Sequence, residues 1–145
     1  MIGLLQRVLS ASVSVDGQRI AGIGAGLMVL VGVEKADTQQ SAERMAERLL
    51  GYRVFSDDDD KMNLSVLDVG GEVLLVTQFT LVADTKKGMR PSFSSAAPPQ
   101  QGSDLFDAVV DIMKRKMPAV QTGRFGADMA VELINDGPVT FWLQV

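Results

Sequence analysis

Two stretches of this 145-residue chain repeat apolar residues at intervals of three and four. One runs through Ala42, Met45, Ala46, Leu49 and Leu50, the other through Leu105, Phe106, Val109, Val110, Met113 and Met117. That period puts an apolar stripe on one face of a helix. Elsewhere the apolar residues come in short alternating or continuous runs bounded by Gly, Pro or Asp, which is the pattern of strands and turns. The expected fold is α+β: a single domain over residues 1–145, with a curved, mostly antiparallel or barrel-like sheet and two main helices. Apolar residues make up 46% of the chain, enough for a substantial core.

Val13 and Val15 alternate with Ser12 and Ser14 and lead into Asp16-Gly17, a strand followed by a tight turn, with the return strand beginning at Arg19 and Ile20. Gly22, Gly24 and Gly26 precede the run Leu27 to Val31. A strand follows these glycines where a dinucleotide site needs a helix, so they are not a cofactor fingerprint. Asp37 to Gln40 reads as a capping box for the first helix and Gly51 as its stop. Tyr52 to Phe55 reads as a short strand or the edge of one. The carboxylates Asp57 to Asp60 form a hydrated loop without the spacing or glycine of a calcium loop.

Gly70-Gly71 is expected to turn a hairpin into a buried strand from Glu72 to Leu81. Its two-residue period places Leu75, Thr77, Phe79 and Leu81 on one face and Val76, Gln78, Thr80 and Val82 on the other. A long connection from Ala83 to Gln101 contains Pro91, Pro98 and Pro99. Ser103 is then placed to cap the second helix, with Asp104 and Asp107 near its positive end, Lys114 to Lys116 in its last turn and Pro118 beyond it. Gly126 to Ile134 and Val139 to Leu143 read as two final strands with Gly137-Pro138 between them.

The chain contains no His and no Cys. Imidazole bases, thiolate nucleophiles and the usual zinc ligand sets are therefore excluded, and no metal or other cofactor is expected. Without cysteine there is no disulfide framework, as in an intracellular protein, so the expected location is the cytoplasm. No apolar run reaches the roughly 18 residues of a membrane-spanning helix, and no membrane partner is expected. The net charge of -4 argues against tracking along extended phosphate backbones, yet leaves room for contact with one end of a nucleic acid. Lys86, Lys87 and Arg90 form one local basic group, and Lys114, Arg115 and Lys116 another. By spacing alone, each is a solvated face or a helix end.

Two segments remain for chemistry: Thr77-Gln78-Phe79-Thr80-Leu81 and Asn135-Asp136-Gly137-Pro138-Val139-Thr140. The Thr80 hydroxyl would need activation to act as a nucleophile, and no imidazole exists to provide it. Gln78 is neither acid nor base, but its amide can orient a polar substrate. Backbone N–H groups beside it could stabilise an oxyanion if a distortion released them from sheet pairing. Gly137-Pro138 is a turn by default. Proline also makes a cis bond accessible, which would aim the neighbouring carbonyls differently.

On these two segments the chain resembles the bacterial D-aminoacyl-tRNA deacylase family. The resemblance extends over the whole sequence, through Leu5-Gln6-Arg7-Val8, Gly51 to Asp57, Lys61 to Leu64, Gly88 to Phe93 and Asp136 to Leu143. Thr77 stands where the family pattern commonly begins with Ser. The resemblance implies a homodimer with active sites at the interface and a cis Gly137-Pro138 that projects into the partner's site. It implies hydrolysis of the ester in D-aminoacyl-tRNA and, with no side chain to exclude, in glycyl-tRNA. Gln78, Phe79 and Thr80 would be catalytic. Thr77, Gly137, Pro138 and Thr140 would bind substrate and select its chirality, and Lys86, Lys87 and Arg90 would meet the tRNA. The alternative is a regulatory module that binds aminoacyl-tRNA without hydrolysing it.

Overall fold

β1 (Ile2–Val15) is the spine of the sheet, and the computed structural model describes all residues from Met1 to Val145. One edge of β1 pairs along nearly its whole length with β8 (Ala130–Gln144), antiparallel. Its other edge is shared. The first half pairs with β3 (Gly26–Gly32) and the second half with β2 (Gln18–Ile23), both antiparallel. β3 continues the sheet in parallel to β6 (Glu72–Thr77), which pairs in parallel with β7 (Gln121–Thr122). β2 leans back over β6 and β7, so the mostly antiparallel sheet is nearly closed into a barrel. β4 (Phe55–Ser56) and β5 (Met62–Leu64) form a separate short ribbon.

α1 (Gln39–Gly51) and α2 (Pro99–Lys114) lie together against one face of the sheet. The larger core is between them and the sheet. Met45, Leu49, Val109 and Met113 meet Leu27, Val29, Val31, Val73 and Leu75 there. Met28, Leu74 and Val76 point the opposite way and join Val8, Val13 and Ile23 in a smaller core inside the barrel. β3 and β6 are therefore buried on both faces. That explains why their sequences are continuous apolar runs, as parallel central strands usually are.

Several expected boundaries move. The capping box of α1 is made by Thr38 and Ser41. Asp37 instead accepts from the Met1 ammonium at 2.5 Å and the Glu34 amide at 2.7 Å. α2 starts at Pro99 after Pro98, four residues before Ser103, because proline at the first helical position has no N–H to leave unpaired. Gly70 does adopt a positive φ, but the turn it makes feeds a parallel strand, so no hairpin forms there. The two expected C-terminal strands are one, β8, interrupted by a bulge.

The loop of carboxylates is ordered by Asp57. Its carboxyl accepts from Asn63 Nδ2 at 2.8 Å and from the amides of Lys61 and Asp59, each at 3.0 Å. Led by the Asn63 bond, these donors hold Asp57 below the usual carboxylate range. Asp68 is held low in the same way, first by the Ser65 amide and then by the Ser65 hydroxyl, each at 2.7 Å.

Candidate active site

β6 leaves the sheet after Thr77. The Gln78 amide still donates to the Val31 carbonyl at 2.8 Å, as the last rung of that ladder. The chain then winds into a single 3-10 turn, Phe79–Val82. The expected strand to Leu81 is thus four residues too long, and the alternation of faces stops at Thr77. The Leu81 amide closes the turn on the Gln78 carbonyl at 3.2 Å. The amides of Phe79 and Thr80 precede Leu81, the first donor of the turn, so the turn itself does not use them. The departure from the strand therefore leaves these two donors outside both the ladder and the bonds that close the turn.

Gln78 and Thr80 do meet, through the turn rather than through a shared strand face. Gln78 Nε2 donates to Thr80 Oγ1 at 2.6 Å. In either orientation, an amide cannot take up the hydroxyl proton, so this pairing orients Thr80 without making it a nucleophile. Phe79 projects outward, 63% exposed, with its ring 5.2 Å from that of Phe93.

Beside the turn is a cleft of about 590 Å³. Thr77, Gln78 and Phe79 form part of its wall, opposite apolar side chains that include Val33, Phe125, Met129 and Val131. Asp128 is the one ionisable side chain in its lining. Sequence reasoning did not single out Phe125 or Met129. Their available signal was a large apolar pair flanking Gly126: the strand expected to begin at Gly126 begins only at Ala130, which leaves both side chains on a connection. A larger hollow of about 840 Å³ lies over the polar face of α1 and is lined by Glu43, Arg44, Glu47, Arg48 and other polar groups. No residue of either motif lines it.

The second motif is built on β8. Gln6 pairs with Thr140 and Val8 with Asn135, so the four residues Asp136 to Val139 stand opposite Arg7 alone. Arg7 closes this bulge. Its Nε lies 3.3 Å from the Asp136 carbonyl and 3.2 Å from the Asp136 carboxylate, while Nη1 donates to the Val54 carbonyl at 2.6 Å. Gly137 has a φ of 122°, and a Cβ there would stand 2.9 Å from Val139 Cγ2. The bulge therefore needs glycine. The Gly137–Pro138 bond is cis, and Gly137, Pro138 and Thr140 all reach the surface.

None of these three residues lines the cleft beside the turn. The register explains why: Arg7 pairs with Leu27, and Leu27 with Val73, four residues before Thr77. Three strand spacings across and four residues along amount to roughly 20 Å. Lys86, Lys87 and Arg90 sit elsewhere again, exposed on the loop after the turn, and none is in an ion pair.

A family model described as D-Tyr-tRNA(Tyr) deacylase matches residues 4–144. The chain belongs to this family. The deacylase is 59% identical to the D-aminoacyl-tRNA deacylases of Yersinia pestis (strain Pestoides F) and Serratia proteamaculans (strain 568), over 100% of both chains in each case. Its fold is also that of a solved c-Myc DNA unwinding element binding protein, with TM-score 0.95, 38% identity and coverage of 100% of this chain and 99% of that one. A probable eukaryotic D-amino acid tRNA deacylase superposes with TM-score 0.89 at 16% identity, covering 99% and 98% of the two chains. The family membership makes the chain a hydrolase of D-aminoacyl-tRNA that binds tRNA and serves translation quality control. The reading as a non-hydrolytic module is set aside.

Proposed function

We propose that this deacylase works as a homodimer in the cytoplasm, and that each active site combines the turn of one chain with the Gly137-Pro138 bulge of the other. The observation that carries this reading is the register within one chain, which sets the bulge three strands across and four residues along from the turn, roughly 20 Å over a flat sheet. One chain alone does not bring together the two segments that the chemistry needs. The unpaired edge of β8, with Ile134 and Trp142 more than half exposed beside it, supplies the kind of surface a second copy would cover.

In the proposed site, the ester carbonyl of the substrate sits at the turn. The amides of Phe79 and Thr80 donate to its oxygen as negative charge develops. Water attacks, assisted by a ribose hydroxyl of the tRNA. This assignment suits a chain without histidine and a Thr80 whose partner is an amide. Gln78 and Thr80 orient the substrate, and Thr77 shapes the wall behind it. Gly137 and Pro138 of the second copy, supported by Thr140, occupy the space an L side chain would need. A D side chain points elsewhere, and glycine has none, so glycyl-tRNA is also cleaved. Lys86, Lys87 and Arg90 meet tRNA phosphates.

Mixed dimers test the arrangement. Phe79→Pro removes one amide donor, and Gly137→Val breaks the bulge. Each homodimer is expected to lose D-selective hydrolysis. Mixed chains should regain it, because one site would join an intact turn to an intact bulge. If mixing restores nothing while dimers form, the two motifs do not work across subunits.

A further inference from the structure

Gly32 and Ser95 belong to neither motif, yet both meet the turn that carries the Phe79 and Thr80 amides. Gly32 ends β3 and is buried. A Cβ at this position would stand 3.0 Å from Leu81 Cβ, 3.1 Å from the Gln78 carbonyl oxygen and 3.1 Å from Val82 Cγ1. Leu81 Cβ and the Gln78 oxygen are fixed to the backbone of the turn and its entry, so neither can rotate aside. The turn is seated directly on the bare Cα of Gly32.

Ser95 latches the other end of the turn. Its Oγ donates to the Val82 carbonyl at 2.7 Å. Ser95 is itself anchored, since its carbonyl accepts from the Lys35 amide at 2.9 Å, just beyond β3. The strap between Val82 and Ser95 is closed on itself by a pair of backbone bonds between Asp84 and Ser92, at 2.8 and 3.0 Å. Phe93 on the same strap packs against Phe79.

An isolated 3-10 turn has little stability of its own, because it closes few hydrogen bonds for the residues it orders. Its direction must come from what it rests on. We propose that Gly32 and Ser95 are positioning residues for ester hydrolysis: they fix the turn so that the Phe79 and Thr80 amides point at the developing oxyanion. The inference rests on the reading that those amides are the oxyanion donors. A displacement of catalytic donors by about 1 Å is enough to lower turnover on the order of a hundredfold. Losing the latch should move the turn by part of that distance.

The test measures kcat and KM on a D-aminoacyl-tRNA for Ser95→Ala, Ser95→Thr and Gly32→Ala, together with thermal unfolding. Ser95→Ala should lower kcat about tenfold or more, leave KM unchanged and remain folded at the assay temperature. Ser95→Thr restores the hydroxyl and should restore kcat. Gly32→Ala should repeat the signature of Ser95→Ala, and if it does not fold, the Ser95 pair still decides. An unchanged kcat in Ser95→Ala, a loss confined to KM, or a Ser95→Thr variant as slow as Ser95→Ala would overturn the inference. A chain in which the Phe79–Thr80 amide is replaced by an ester separates the two layers. If it is slow while Ser95→Ala is normal, the donors stand and the latch fails. If it turns over normally, the oxyanion reading fails and takes the latch with it.

Discussion

Arg7 and Asp136 are joined twice across the β1–β8 ladder, with Arg7 Nε 3.3 Å from the Asp136 carbonyl and 3.2 Å from its carboxylate. The same guanidinium reaches the Val54 carbonyl at 2.6 Å. One side chain thus ties the bulge that carries Gly137-Pro138 to the segment after α1. Asp136 is 43% exposed, so its ion pair contributes little, about 1 kcal/mol at most. The less exposed hydrogen bond to Val54 contributes more. Arg7→Ala should lower unfolding free energy by about 1–3 kcal/mol in chemical denaturation. It should also reduce the ratio of D to L hydrolysis, since the bulge loses its clamp. A stable variant with an unchanged ratio would show that the clamp does not serve selection.

Thr80→Ala removes a hydroxyl whose partner is the Gln78 amide and leaves the backbone N–H in place. Turnover should fall by less than the roughly hundredfold expected for loss of an oxyanion donor. A folded variant without measurable product release would mean that the hydroxyl takes part in the chemistry.

Charge reversal at Lys86, Lys87 or Arg90 should weaken tRNA binding. For each phosphate that is no longer neutralised, the slope of log affinity against log salt should become shallower by about 1. Binding that is unaltered across a salt titration would remove that residue from the interface.

The helices and the core were legible because burial enforces period. Met45, Leu49, Val109 and Met113 repeat as a helix face must, and all are buried. The end of β6 was not legible. Phe79 and Leu81 continue the alternation of Leu75 and Thr77, so local pattern extends the strand. What stops it is tertiary: the turn packs on Gly32, which is distant in sequence. The start of α2 was misplaced for a related reason, because Ser103 is a good cap locally while Pro98-Pro99 had already begun the helix. Both motifs were recognisable as sequence. Their separation within one chain follows from a register through β1 and β3 that neither motif encodes.

Acid stability should depend on Asp57 and Asp68. Both are held below the ordinary value of 3.8 by hydrogen bonds present only in the fold. A depressed folded value contributes stability that is present above 3.8 and lost as pH falls through the lower folded value. The difference between the wild-type chain and Asp68→Asn should therefore be largest above about pH 4 and shrink below it. A gap that widens on acidification would contradict this assignment.

The most direct measurement is release of amino acid from a D-aminoacyl-tRNA and its L counterpart on the same tRNA, followed from acid to neutral pH beside a control without enzyme. Rapid cleavage of the D ester, sparing of the L ester and no inflection near about pH 6.5, where an imidazole base would titrate, are the expected results. Equal cleavage of both esters would contradict the proposed selection by Gly137 and Pro138.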